Sequence, residues 1–192
     1  IIDVKSKHQA FRLDISSLEE MTAAMEGVDA VINCTVERWD RQRAFDVNTL
    51  GCYNMMRAAV AQGVERVINT GPHFTFHGPS YEIYDYEIGP EVPPHPGLGL
   101  YAHSKGIGQE ICRVYAEQND LNVLMLLFYI FRGHSGADSK FNHPHLATWR
   151  DAAQAVRCAI EVDLETMPSS CEVFSIFADL PHGRFSNAKA KQ

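Results

Sequence analysis

The stretch VDAVINCTVERWDRQRAFDVNTLGCYNMMRAAVAQGVERVINT, residues 28–70, decides the fold. It opens with a near-continuous apolar run at residues 28–34, continues with a helical pattern at residues 41–62 and closes with a second apolar run at residues 64–70. Neither run alternates polar with apolar residues, so both faces of each strand are expected to be covered. A strand, a helix and a strand in this order predict parallel strands joined by a right-handed crossover.

The remainder of the chain repeats this alternation. Further strands are predicted from apolar runs near residues 1–4, 10–15, 121–131 and 171–178, and further helices at residues 16–27, 101–118 and 150–161. The predicted fold class is therefore α/β, a Rossmann-type doubly wound parallel sheet with helices on both faces.

Composition limits the classes of function. The chain has 192 residues, of which 45% are hydrophobic and 21% are charged, as in ordinary globular domains. The net charge of −7 and the lack of a Lys/Arg cluster argue against nucleic-acid partners. No apolar run is long enough to span a membrane, and five cysteines without a CxxC pair are typical of a reduced, cytoplasmic protein.

Polar residues follow several of the predicted strands. Because ligands bind beyond the carboxyl ends of the strands in parallel sheets, these residues are expected to converge on one edge. They are Asp3, Asp14, Cys34, Thr35 and residues 70–73, which include Thr70 and His73.

Tyr101 and Lys105 carry the chemistry that the sequence predicts most directly. A spacing of four places both side chains on one face of the predicted helix. A neighbouring ammonium favours the phenolate and lowers the pKa of a tyrosine, which can then exchange a proton with a hydroxyl or carbonyl group. The same spacing also fits an ordinary surface pair, but here it follows an apolar strand and a long loop.

The run Asp46-Val-Asn48-Thr-Leu-Gly51-Cys-Tyr-Asn54, followed by Tyr101 and Lys105, resembles the extended short-chain dehydrogenases, the NAD-dependent epimerase/dehydratase family. The similarity extends over about residues 11–161. A shorter match, Ala147-Thr-Trp149, is similar to uronate dehydrogenases within that family.

The resemblance implies a role for each matching residue. Tyr101 is the acid/base, Lys105 supports it and binds the cofactor ribose, and Asn48 supports the proton relay. Cofactor contacts are implied for Asp14 and Ile15 at the adenine, for Cys34 and Thr35, and for Asp3 at the adenosine ribose. An acidic Asp3 favours NAD, whereas the nearby Lys5 and Lys7 keep NADP as an alternative.

Two departures from the family pattern stand out. No GxxGxxG loop occurs, so the expectation is that the first strand–loop–helix unit of the fold is missing before Ile1. The active-site Ser or Thr of the family is replaced by the segment at residues 70–75, where Thr70 is the candidate hydroxyl and His73 matches a substrate-contacting histidine of uronate dehydrogenases. Losing this hydroxyl is expected to cost about 10²-fold or more in rate.

The predicted organisation is a partial dinucleotide-binding domain at residues 1–135 and a small substrate-side segment at residues 136–192. The predicted function is an NAD(P)-dependent oxidoreductase or epimerase acting on a sugar, sugar acid or nucleotide sugar. The alternative is a catalytically impaired relative that serves as a structural or cofactor-sensing subunit. A homodimer is implied by the resemblance, and no metal site is expected, because His143 and His145 lack a Cys, Asp or Glu cluster.

Overall fold

A computed structural model describes residues 11–72, 88–92, 96, 99–132, 145–178 and 185–192. Its helices are α1 (Leu18–Ala24), α2 (Arg41–Phe45), α3 (Gly51–Gln62), α4 (Leu100–Gln118) and α5 (Trp149–Glu161). Its strands are β1 (Ala30–Asn33), β2 (Arg66–Pro72), β3 (Asn122–Phe128), β4 (Ile130–Arg132), β5 (Leu146–Thr148) and β6 (Cys171–Ser175). A π-helical turn, Asp46–Leu50, joins α2 to α3, and 3-10 turns occupy Leu164–Thr166 and Ala188–Lys191.

The central sheet confirms the predicted fold class. Its strands lie in the order β1-β2-β3-β6, and every neighbouring pair is parallel. The register places Ile32 beside Ile68 and Ile68 beside Leu124. Strands β4 and β5 form a separate parallel pair. Because β6 belongs to the central sheet, residues after 136 contribute to the same layered structure as those before it.

Helices cover both faces of this sheet. The first face packs on α1, α3 and α4 through buried residues that include Met56, Val67 and Met125. The opposite face packs on α5 through Ile68, Leu124 and Ala159. Alternate residues along each strand therefore point into two separate cores. None of the helices that the structure describes is long and apolar enough to cross a membrane.

Local sequence signals explain where the helices begin and end. Asp40 caps α2 by accepting hydrogen bonds from the backbone N–H groups of Gln42 and Arg43. Helix α3 ends at Gly63, whose φ of 69° lies in the left-handed region that glycine favours. Helix α5 begins with a reciprocal capping box between Thr148 and Asp151.

One sequence prediction of local structure is wrong. Residues 11–15 form no strand: the Asp14 carboxylate accepts hydrogen bonds from the backbone and hydroxyl of Ser16, and this turn leads into α1. The helix predicted at residues 41–62 is confirmed, with a π-helical turn inside it that the sequence did not predict. The π-turn includes Asn48, whose side chain is fully buried.

Candidate active site

The ammonium of Lys105 connects α4 to the carboxyl ends of β1 and β2. Lys105 is 4% exposed, and its Nζ donates to the backbone oxygens of Thr35 at 2.8 Å and Thr70 at 3.3 Å. Burial lowers the pKa of Lys105 below its usual range, because desolvation disfavours the ammonium. An ammonium carries three donors, so beyond these two carbonyls a third can bind a hydroxyl group of a ligand.

A side-chain network fixes the two carbonyl groups that receive Lys105. Asn33 Nδ2 donates to Asn69 Oδ1 at 2.8 Å, while Asn33 Oδ1 accepts from the backbone N and the hydroxyl of Thr35 at 3.0 and 2.7 Å. The Thr70 hydroxyl donates to the backbone oxygen of Asn33 at 2.8 Å. These bonds hold the ends of β1 and β2 together and orient the Thr35 and Thr70 carbonyls.

Tyr101 lies in the first turn of α4, half-buried at the same strand ends. The Arg38 guanidinium, on the loop after β1, lies over the Tyr101 ring, with its central carbon 5.6 Å from the centre of the ring. Burial raises the pKa of Tyr101, and the nearby guanidinium of Arg38 opposes this rise without cancelling it. The phenol is therefore protonated at neutral pH in this state.

This direction differs from the sequence prediction that Lys105 lowers the pKa of Tyr101. The structure gives the opposite net shift because desolvation of the phenol outweighs the effect of nearby cations. Lys105 directs its ammonium to the strand carbonyls, and the cation that acts on Tyr101 is Arg38. Sequence spacing showed that Tyr101 and Lys105 share a helix face, but not what surrounds them.

Asn48 supports the site from within the π-turn. Its Nδ2 donates to the backbone oxygen of Glu37 at 2.8 Å and to the Ser104 hydroxyl at 3.0 Å, and its Oδ1 accepts from the backbone N of Glu37 at 3.1 Å. A Cβ at Gly108 would approach the Asn48 backbone oxygen to 2.2 Å, so only glycine fits here. Asn48 thus joins α4 to the loop that carries Arg38, in keeping with the frequent occurrence of π-turns at functional sites.

A cavity of about 480 Å³ opens at these strand ends, a size typical of small-molecule sites. Its lining contains two cations, Arg38 and Lys105, and no carboxylate from the residues that the structure describes. The remaining residues lining the cavity are Cys34, Thr35, Val36, Thr70, Gly71, Pro72, Tyr101, Phe128, Tyr129, Phe131, Trp149 and Val156.

An aromatic wall forms one side of this cavity. The rings of Phe131 and Trp149 stack with centres 4.4 Å apart and an interplanar angle of 5°. Sequence reasoning missed this wall and missed Arg38, because these contacts join residues from separate elements. The order of α5 directly after β5 was the available signal, since it places Trp149 at a strand end.

The structure brings half of the predicted site residues together. Cys34, Thr35, Thr70, Tyr101 and Lys105 all line the cavity.

Three predicted site residues do not line the cavity. Asn48 lies behind α4, Asp14 is exposed in the turn before α1, and Ile15 is 9% exposed within the core formed with α3. The hydrogen bonds from Ser16 lower the pKa of the Asp14 carboxyl. Two more predicted residues, Asp3 and His73, lie outside the described residues.

The cavity fits one end of a nicotinamide dinucleotide. The third donor of Lys105 suits a ribose hydroxyl, and Cys34 and Thr35 lie directly after β1, where parallel sheets bind ligands. A GxxGxxG phosphate loop is not present in the 192 residues. The fit therefore concerns the cofactor end that faces Tyr101.

The model of the NAD dependent epimerase/dehydratase family matches residues 2–164. With a parallel Rossmann-type sheet and a Tyr-Lys pair at its carboxyl edge, the chain belongs to this family.

Two curated relatives are sugar or sugar-acid dehydrogenases. The chain is 29% identical to the uronate dehydrogenase of Agrobacterium fabrum over 105 residues, which cover 55% of this chain but only 38% of that protein. It is 25% identical to the L-arabinose 1-dehydrogenase (NAD(P)(+)) of Haloferax volcanii over 188 residues, covering 85% of this chain and 72% of that protein.

A solved structure confirms the fold. The uronate dehydrogenase from Agrobacterium tumefaciens superposes with a TM-score of 0.79 at 17% identity, covering 100% of this chain and 69% of that one.

Proposed function

We propose that the protein is an NAD(P)-dependent dehydrogenase that oxidises a sugar or sugar acid, with Tyr101 as the proton-transfer residue. One observation carries this proposal: Tyr101 and Lys105 line the same cavity at the carboxyl ends of β1 and β2. The two curated relatives supply the substrate class, since both are named for oxidation of a sugar or sugar acid. NADP stays an alternative, because Asp3, Lys5 and Lys7 lie outside the described residues.

The chemistry assigned to this chain is proton transfer and positioning. NAD, when bound, would supply the hydride acceptor for the carbon that carries the substrate hydroxyl. Once deprotonated, the Tyr101 oxygen can take the proton of that hydroxyl as the carbon becomes a carbonyl. The third donor of Lys105 would bind a ribose hydroxyl, while its other two donors keep the strand ends in place. The Phe131–Trp149 stack forms an aromatic wall on one side of the cavity.

The role of the family's active-site hydroxyl falls to Thr70 in this proposal. Thr70 lines the cavity, but its hydroxyl proton is directed to the Asn33 carbonyl, so the Thr70 oxygen meets a substrate only as an acceptor in this arrangement. This observation favours the second candidate, an impaired relative that binds the cofactor without efficient turnover.

A panel of aldoses and uronates, assayed for NADH and NADPH formation by the purified protein, tests the proposal. Turnover of at least one uronate or aldose is expected, with thermal stabilisation by the cofactor that is used. Stabilisation by NAD without turnover of any sugar would instead support the binding subunit. If the protein shows neither stabilisation by a cofactor nor turnover of a sugar, both candidate functions are overturned.

We also propose that two copies pair through α3 and α4. Large apolar side chains on and next to these helices are exposed: Leu50 in the π-turn before α3, Tyr53 and Val60 on α3, and Ile107 on α4. Exposed apolar residues grouped on one face indicate an interaction surface. Analytical ultracentrifugation is expected to show a dimer for the wild type and a monomer for Ile107→Glu. A monomeric wild type would exclude the pairing.

A further inference from the structure

Arg38 is an exposed cation at the cavity. It lies on the loop between β1 and α2, lines the cavity and has its central carbon 5.6 Å from the centre of the Tyr101 ring. A guanidinium carries five donors, so Arg38 can form hydrogen bonds to a ligand while it lies over this ring.

Arg38 has no carboxylate partner within the ranges that the structure describes: its guanidinium forms no ion pair there. The neighbouring Glu37 carboxylate accepts hydrogen bonds from the backbone N–H groups of Arg38, Trp39 and Asp40 instead. The Asp40 carboxylate is likewise used to cap α2. The carboxylates next to Arg38 in sequence thus accept hydrogen bonds from backbone N–H groups and do not pair with Arg38.

The described residues that line the cavity carry positive charge, although the chain has a net charge of −7. Its described lining contains Arg38 and Lys105 and no acidic side chain. Lys105 is 4% exposed and donates to the Thr35 and Thr70 carbonyls, whereas Arg38 is exposed at the cavity. Of these two cations, Arg38 is therefore the one placed to meet an incoming anion.

We propose that Arg38 is a specificity-determining residue that binds the carboxylate of a sugar-acid substrate beside Tyr101. A guanidinium matches a carboxylate with two parallel hydrogen bonds, a geometry that lysine cannot reproduce. This inference rests on the proposed function, and it adds which residue selects an acidic sugar over a neutral one.

The test compares galacturonate with galactose, which differ only in carrying a carboxylate or a hydroxymethyl group. The ratio of kcat/KM for the two sugars is measured for the wild type, Arg38→Gln, Arg38→Lys and the control Arg41→Gln. Arg41 is an exposed arginine that opens α2 and does not line the cavity.

Arg38→Gln is expected to lower this ratio about 10- to 100-fold, in line with the loss of charge-assisted hydrogen bonds. Arg38→Lys is expected to retain part of the preference, and Arg41→Gln all of it. An effect of Arg38 on Tyr101 alone would reduce both sugars equally and leave the ratio unchanged, which would overturn the inference. A wild type that prefers galactose would also overturn it while leaving the proposed dehydrogenase intact.

If the wild type oxidises neither of these two sugars, binding decides the inference, while the proposed function fails only if no sugar of the whole panel is oxidised. Calorimetric titration with galacturonate would support Arg38 as its anchor if the wild type binds and Arg38→Gln does not. Equal binding by both proteins, or no binding by the wild type, would exclude it.

Discussion

The two faces of the central sheet bury different kinds of side chains. Towards α3 and α4, near the strand ends, the buried side chains include polar groups: Asn33, Asn48, Asn69, Ser104 and Lys105. Towards α5 the core cluster consists of apolar residues, among them Ile68, Leu124 and Leu126. A buried carboxylate on that side, Glu172, lies on the outer strand β6 and pairs with Lys189 at 2.6 Å.

This difference indicates that the polar cluster serves function, whereas the apolar cluster serves stability. Burying a polar group costs free energy unless it is hydrogen-bonded, so a cluster of such groups indicates a role beyond packing. Here the cluster converges on the carbonyls that receive Lys105 and on the turn of α4 that carries Tyr101. Changes at this polar end should therefore reduce activity first, whereas changes in the part of the α5-side core that does not line the cavity, such as Leu126, should reduce stability first.

Lys105→Met should give the largest effect. It keeps most of the side-chain volume but removes the ammonium that contacts both strand ends. We expect kcat/KM for the best substrate to fall about 10²- to 10³-fold. Lys189→Met, on the α5 side, is the matched control and should retain activity. If kcat/KM of Lys105→Met lies within a few-fold of the wild-type value, the two faces do not differ in their importance for activity.

Leu126→Ala tests the opposite side. Leu126 is 2% exposed in the α5-side cluster, and truncation leaves a cavity that should cost about 3 kcal/mol of unfolding free energy. Urea unfolding measures this loss, and activity per folded molecule should be unchanged. A fall in activity per folded molecule without a fall in the free energy of unfolding would show that Leu126 contributes to the site.

Asn48→Ala should produce a smaller loss of stability, together with reduced activity. Its removal leaves the backbone of Glu37 and the Ser104 hydroxyl without their partner, which should cost about 2 kcal/mol. Asn119→Ala is the control, because the Asn119 side chain donates to the Tyr115 carbonyl at the far end of α4, away from the cavity. Equal behaviour of the two variants in both urea unfolding and kcat/KM would assign Asn48 no special role.

The smallest expected effect is a displaced pH profile. Burial raises the pKa of Tyr101 and Arg38 opposes that rise, so Arg38→Gln should raise the pKa further. Oxidation needs the deprotonated phenol, and the rising limb of kcat/KM for a neutral sugar should therefore move to higher pH. An unchanged limb, or one moved to lower pH, would show that Arg38 does not act on Tyr101.

The sequence predicted the fold more completely than the site. Apolar runs and helical periodicity were sufficient for the parallel sheet, because burial on both faces leaves a clear pattern. The π-turn at Asp46–Leu50 was not predictable, since it accompanies tertiary contacts of Asn48 with Glu37 and Ser104. The strand at residues 10–15 was wrong, because the Asp14 turn outweighs the apolar composition there.

Within the site, spacing along one helix was informative and contacts between elements were not. Tyr101 and Lys105 could be paired because four residues make about one helical turn. The direction of the pKa shift of Tyr101 depends on desolvation, which is a property of the folded structure. Arg38, Phe131 and Trp149 reach the cavity from a loop, a strand and a helix, and no sequence spacing links them.

The proposed function requires Tyr101 to transfer the proton in an NAD(P)-dependent oxidation at the polar end of the sheet. Tyr101→Phe removes only the phenol oxygen, and Tyr115→Phe makes the same change on α4 at a ring that packs on Tyr53 outside the cavity. The measurement is the rate of cofactor reduction by both variants, with cofactor binding and thermal stability as controls. We expect a fall of about 10²-fold or more for Tyr101→Phe alone, with binding and stability retained; turnover by Tyr101→Phe within a few-fold of the wild type would show that the Tyr101 oxygen does not transfer the proton.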